Sequence, residues 1–178
     1  MNGEVIIITG PPAAGKTTVA ALVASGASVP TVHLVTDLFY RSIRTGFVLP
    51  FLPESQRQNE VVIDAIVGTA ATFALGGYDV VVDGIVGPWF LPPFRTLLAR
   101  GLKVTYIVLR PDLDTTLARA RERVGDELKD PAAITGLHGA FETLGDLEHH
   151  ALDTGHLDAR QTSVEVRRAV ASGAYRLR

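Results

Sequence analysis

An apolar, β-branched run, Glu4-Val5-Ile6-Ile7-Ile8-Thr9, passes directly into the octet G-P-P-A-A-G-K-T at Gly10 to Thr17. That octet passes in turn into Thr18, Val19, Ala20, Ala21, Leu22 and Val23, which is good helix material. A buried strand, a tight glycine loop and a helix in that order leave few folds open. The octet satisfies G-x-x-x-x-G-K-[ST], and its flanks supply the context the pattern needs. Gly10 and Gly15 let the backbone curl so that successive N–H groups point inward, towards phosphate oxygens. The helix that starts there adds its positive dipole end. Lys16 then reaches the β- and γ-phosphates of a nucleoside triphosphate, and the Thr17 hydroxyl suits Mg²⁺. A glycine turn that binds nothing is the alternative, and both flanks and the intact G-K-T weigh against it. The expected nucleotide-contacting set is Gly10, Pro11, Pro12, Ala13, Ala14, Gly15, Lys16, Thr17 and Thr18.

The rest of the chain repeats the alternation of strand and helix. Strands are expected at Pro30–Thr36, Tyr78–Asp83, Leu102–Leu109 and, briefly, His150–Thr154. Helices are expected at about 15–25, from Asp37, over Glu54–Leu75, within Trp89–Arg100, over Asp112–Arg123, from Pro131 to about Leu144, and over Asp158–Ala171. Within the longest of them Val61, Val62, Ala65, Ile66 and Thr69 recur at helical spacing. The third strand is apolar almost throughout, as when helices cover both faces of a parallel sheet. The pattern implies an α/β three-layer fold, a five-stranded parallel sheet with right-handed crossovers and helices on both faces. Ligands in such sheets bind beyond the carboxyl ends of the strands.

At 178 residues the chain has room for one well-buried core, so a single domain over 1–178 is expected. Its 47% apolar and 20% charged composition argues against disorder. A net charge of −2 provides no global field to draw nucleic acid or an anionic membrane. The absence of cysteine excludes disulfides, thiolate metal sites and cysteine nucleophiles. No signal-peptide pattern opens the sequence, and no run approaches the roughly 20 apolar residues of a bilayer span. A cytoplasmic protein, monomeric or homodimeric, is expected.

Three acids fall where strands deliver side chains to the ligand edge. Asp37 follows the second strand and is the first choice for the base that accepts an attacking hydroxyl's proton, on the expectation that this strand lies beside the first. It could also simply cap the next helix. Asp83 ends the strand V-V-V-D-G and could hold Mg²⁺ together with Thr17; it could also be an acidic turn residue before Gly84. Asp153 lies near the end of the fifth strand. The chain has only three lysines, Lys16, Lys103 and Lys129, so arginine carries the other positive charges. Arg119 and Arg123, four apart on one helix face, suit a lid over phosphates at about 119–135, or else a solvated basic stripe. Arg41 and Arg44 could bind an acceptor or lie on the surface. The aromatic residues Phe39, Tyr40, Phe47, Phe51, Trp89, Phe90 and Phe94 follow the second and third strands, where they could wall an acceptor pocket or fill the core. His149 and His150 adjoin; in a strand they would face opposite ways and share no metal.

Together, Gly10–Thr17, V-T-D-L at 35–38, V-V-V-D-G at 80–84 and A-R-A-R-E-R at 118–123 resemble the small P-loop kinases. That family includes gluconate, shikimate and adenylylsulfate kinases and chloramphenicol phosphotransferase. The chain is especially similar to bacterial ATP-binding proteins that share a Q-N pair (Gln58-Asn59), a V-L-R segment (108–110) and an E-H-H segment (148–150). The resemblance implies ATP with Mg²⁺ and transfer of the γ-phosphoryl group to a small hydroxyl compound. It places Asp37 at the base position and Arg119 and Arg123 at the lid arginines. Segment 38–60, where these families differ, matches none of the named enzymes and leaves the acceptor open. A nucleotide-dependent regulatory NTPase without a small-molecule acceptor is the second reading; no N-K-x-D base-reading motif supports it.

Overall fold

The computed structural model describes residues 1–122 and 128–178. Five strands, β1 (Glu4–Thr9), β2 (Thr31–Val35), β3 (Asp79–Asp83), β4 (Lys103–Leu109) and β5 (Ala151–Leu152), pair in parallel in the order β2-β3-β1-β4-β5. Helices α1 (Lys16–Ser25), α2 (Thr36–Arg41), α3 (Gln56–Leu75), α4 (Leu91–Arg95), α5 (Leu113–Arg121), α6 (Pro131–Gly139) and α7 (Ala159–Ser172) connect or follow them. The expected α/β architecture is the one observed.

The strand pleat explains why both faces are covered. Val5, Ile7, Val80, Val82, Val104, Tyr106 and Val108 point to one side, where the apolar face of α3 and the segment around Phe94 bury them. Ile6, Ile8, Val81, Ile107 and Leu109 point to the other, against Val19, Ala20 and Val23 of α1 and Val166 and Ala169 of α7. Successive side chains alternate between faces, so an apolar strand needs two covering layers.

Five expectations change. β3 inserts between β1 and β2, so the second strand does not adjoin the first. Strand pairing is a long-range property, and the chain order does not encode it. The stretch 89–100 is split into 3-10 turns at Pro88–Phe90 and Leu98–Arg100 around the short α4. Pro92 and Pro93 lack the N–H groups a longer helix would use. Helix α6 ends at Gly139 and β5 spans two residues, both shorter than expected. His149 and His150 lie in a 3-10 turn (Gly145–His150), with ring centroids 4.2 Å apart, and do not face opposite ways.

Candidate functional site

The loop after β1 is wound by three residues in left-handed or positive-φ conformation: Gly10 (φ 143°), Ala13 (φ 61°) and Gly15 (φ 88°). Gly10 allows no side chain, because a Cβ there would lie 2.1 Å from the Leu109 carbonyl oxygen of neighbouring β4. Gly15 is the N-cap residue of α1, so the loop delivers the helix's first N–H groups to the inside of the curl. Ala13 takes a conformation that costs an L-residue about 1–2 kcal/mol. Its methyl group packs with Ala120 of α5 and Ile134 of α6, which ties the loop to the segment expected to form the lid. Lys16 is buried to 9% exposure and donates from Nζ to the Pro11 carbonyl at 2.7 Å, spanning the loop. Thr17 and Thr18 are exposed at its mouth.

Asp83, at the carboxyl end of β3, is 2% exposed. Burial pushes its carboxyl above the usual carboxylate range; the Thr17 hydroxyl, the Lys16 charge and His33 pull the other way. His33 Nε2 lies 3.3 Å from Asp83 Oδ2. Among the described residues no group of three or more His, Asp or Glu forms a protein-only cage. Thr17 and Asp83 instead offer two oxygens beside the loop, the kind of partial set that Mg²⁺ completes with phosphate and water. A carboxylate so deeply buried gains from a cation beside it.

Asp37 does not cap α2. Val35 is the N-cap residue, no side chain caps the helix, and Asp37 sits exposed in its first turn. It lines a cleft of about 1350 Å³ together with Tyr40, Arg41, Arg44, Phe51 and Trp89. Burial first, and then the Asp37 charge, push the Tyr40 phenol up to about 12, so it remains a hydroxyl donor there. Thr36, which lines the cleft, also packs on the residue that follows Asp83. Gly84 follows Asp83 and lets Thr36 approach so closely that a Cβ on Gly84 would lie 1.8 Å from Thr36 Oγ1. Thr36 and Asp37 are consecutive, so one close contact joins the acid of the cleft to the acid beside the loop.

Other expected residues divide. Arg41 and Arg44 are exposed and line the cleft. Arg119 Nη2 donates to the Leu157 carbonyl at 3.4 Å, which places it against the segment after β5. Arg123, and with it part of the expected lid, lies outside the described residues. Asp153 is exposed and accepts from the Gly155 N–H at 3.1 Å, the geometry of a turn. Phe94 is core, Phe39 and Phe90 are half-buried, and Phe47, Phe51 and Trp89 stand exposed. His33 and Thr36 were not expected at the site. No sequence signal marks them, since their place depends on β2 pairing with β3.

The sequence pattern of the AAA domain family matches residues 6–139. No curated protein matches the chain. Among solved structures, the APS kinase of Mycobacterium tuberculosis, in complex with AMPPNP and APS, superposes with a TM-score of 0.72 at 17% identity over 96% of this chain and 98% of that one. The tunicamycin resistance protein of Deinococcus radiodurans gives 0.68 at 18% identity over 94% and 95%. Shikimate kinase of Acinetobacter baumannii, in complex with shikimate, gives 0.62 at 18% identity over 97% and 95%. At such identities the likeness is one of fold, that of the small P-loop kinases. No described helix is long and apolar enough to cross a membrane.

Proposed function

The chain belongs to the AAA domain family, and from that premise we propose that it is an ATP-dependent phosphotransferase acting on a hydroxyl of a small metabolite, nucleoside or antibiotic. The observation that carries this reading is a large cleft with Asp37 at its edge, linked to the P-loop by the packing of Thr36 on Gly84, next to the Asp83 that interacts with Thr17. A regulatory nucleotide switch has no need of such a cleft.

In this reading the loop amides from Gly10 to Thr18 hold the phosphate tail, and Lys16 exchanges the Pro11 carbonyl for β- and γ-phosphate oxygens. Thr17 and Asp83 would hold Mg²⁺, which when bound neutralises phosphate charge. The acceptor oxygen forms a bond to the γ-phosphorus as the bond from that phosphorus to the β–γ bridging oxygen breaks, and ADP leaves. The acceptor's proton passes to the Asp37 carboxylate. Arg119, and Arg123 from outside the described residues, would add positive charge over the transferring group, where developing charge is the main lever in this chemistry.

The test is ADP release with and without a panel of hydroxyl compounds. Acceptor-dependent turnover is expected, and Asp37→Asn should lower kcat roughly 10²- to 10⁴-fold while leaving the KM for ATP within about twofold. Steady hydrolysis indifferent to every acceptor and to Asp37→Asn would overturn the reading in favour of a switch.

A further inference from the structure

The cleft beside Asp37 has an apolar wall that the fold leaves uncovered. Phe47, Leu49, Phe51 and Leu52 line it from the strap between α2 and α3, each between 39% and 49% exposed, and Trp89 lines it from beyond β3 at 48%. A cluster of large apolar groups held open to water gains when a ligand covers it.

The strap is held in place by the Gln58-Asn59 pair. Gln58 Oε1 accepts from the Val48 N–H at 2.9 Å while its Nε2 donates to the Val48 carbonyl at 2.7 Å. One side-chain amide thereby pairs both backbone groups of one residue, as a neighbouring strand would. Asn59 Nδ2 donates to the Pro50 carbonyl at 2.8 Å and to Ser55 Oγ at 2.9 Å. The Pro50 carbonyl can only accept, which fixes the orientation of the amide. Asn59 Oδ1 is then left buried without a partner among the described residues, in a side chain that lines the cleft. The charged residues of the lining balance, with Asp37, Glu60 and Asp64 against Arg41, Arg44 and Arg57. Nothing there selects a multiply charged anion.

We propose that the acceptor is a neutral amphipathic alcohol, its hydroxyl at Asp37 and an aromatic or aliphatic body against the 47–52 strap, with Gln58 and Asn59 as positioning residues that hold the wall preformed. The proposal rests on the phosphotransferase reading of the same cleft. A preformed wall spares the ligand the ordering of a loop. Burial of each added methylene is worth about 0.8 kcal/mol, a three- to fourfold gain in affinity.

Trp89 is the only tryptophan, so its fluorescence reports the cleft directly. With Mg²⁺ and AMPPNP saturating, the protein is titrated with benzyl alcohol, 3-phenyl-1-propanol and 5-phenyl-1-pentanol, and separately with gluconate and glycerate. The Kd is expected to fall about three- to fourfold per methylene along the alcohols, while the hydroxy acids leave the signal unchanged at matched concentrations. Gln58→Ala should weaken 5-phenyl-1-pentanol at least tenfold and leave the AMPPNP Kd within twofold. Phe51→Ala, which removes an exposed ring and no backbone contact, should flatten the chain-length dependence even if the Gln58 variant folds poorly. A Kd independent of chain length, or tighter binding of the hydroxy acids, overturns the proposal. Calorimetry with AMPPNP alone separates the two failures. Absent nucleotide binding ends the phosphotransferase reading, whereas intact nucleotide binding with a flat alcohol series ends only the assignment of the acceptor.

Discussion

The same chemical change, glycine to alanine, should act with opposite sign at two positions of this protein. At Gly84 an added Cβ would lie 1.8 Å from Thr36 Oγ1 and 2.8 Å from both Thr36 Cβ and Cγ2. Optimal carbon contacts are about 3.5–4.0 Å. Rotating the Thr36 side chain moves Oγ1 and Cγ2 but not Cβ, so the junction of β2 and α2 itself must shift. Overpacking of this kind costs about 1–3 kcal/mol. For a chain of this size each kcal/mol moves Tm by about 2–4 °C, so Gly84→Ala should lower it by roughly 2–12 °C. At Gly68, exposed in the middle of α3, an added Cβ meets nothing within 4 Å. There alanine should stabilise by about 0.5–1 kcal/mol, because glycine loses more backbone entropy on folding, and Tm should rise by roughly 1–4 °C. Thermal melts and urea midpoints of the two variants measure both. Because the Gly84 shift also displaces Asp37 from Asp83, turnover should fall in that variant and stay unchanged in Gly68→Ala. A Gly84→Ala protein as stable as its parent would refute the argument that this contact sets the spacing between cleft and loop.

Two further outcomes follow from contacts away from the cleft. Asp158 caps α7 in a reciprocal box, accepting from the Gln161 N–H at 2.8 Å while its own N–H donates to Gln161 Oε1 at 2.9 Å; Asp158→Ala should cost about 1 kcal/mol in urea denaturation. Hydrogen bonds from Arg110, and then from the Leu144 N–H, hold the Glu148 carboxyl below its usual 4.5. Its folded value is the depressed one, so its stabilising contribution is present above the unfolded value and fades as pH falls through the folded one. A carboxyl NMR titration should place Glu148 below 4.5, and Arg110→Ala should move it back up.

The strands, most helices and the loop at 10–17 were legible because they rest on local pattern: an apolar run, a glycine spacing, a capping acid. Asp112 is the N-cap of α5, as its position at the head of that helix implies, whereas the reciprocal cap at Asp158 emerged only with the structure. The order of the strands was not legible, and the contact of His33 with Asp83 follows from that order alone. Asp37 read as a possible cap because a short acidic residue before an apolar run has that signature, yet the chain turns into the helix two residues earlier, with Val35 at the cap position. Ala13 gave no sign of its positive φ, since alanine is not a turn residue; packing against Ala120 and Ile134 holds it there. The Q-N, V-L-R and E-H-H segments were visible as strings, and their meaning required the fold. Gln58 and Asn59 pin a strap nine to ten residues upstream, and Arg110 pairs with Glu148 across 38 residues.

The central claim is that the backbone curl between β1 and α1 holds a triphosphate tail with Lys16 closing on it. Calorimetric titration of ATP with Mg²⁺ into the parent protein and Lys16→Ala tests it most directly. Loss of a charge-assisted bond of about 1.5–3 kcal/mol predicts affinity roughly 10- to 100-fold weaker in the variant, with an unchanged circular dichroism spectrum. Equal affinity in the two proteins, or heat release from neither ATP nor GTP in the parent, would contradict the account.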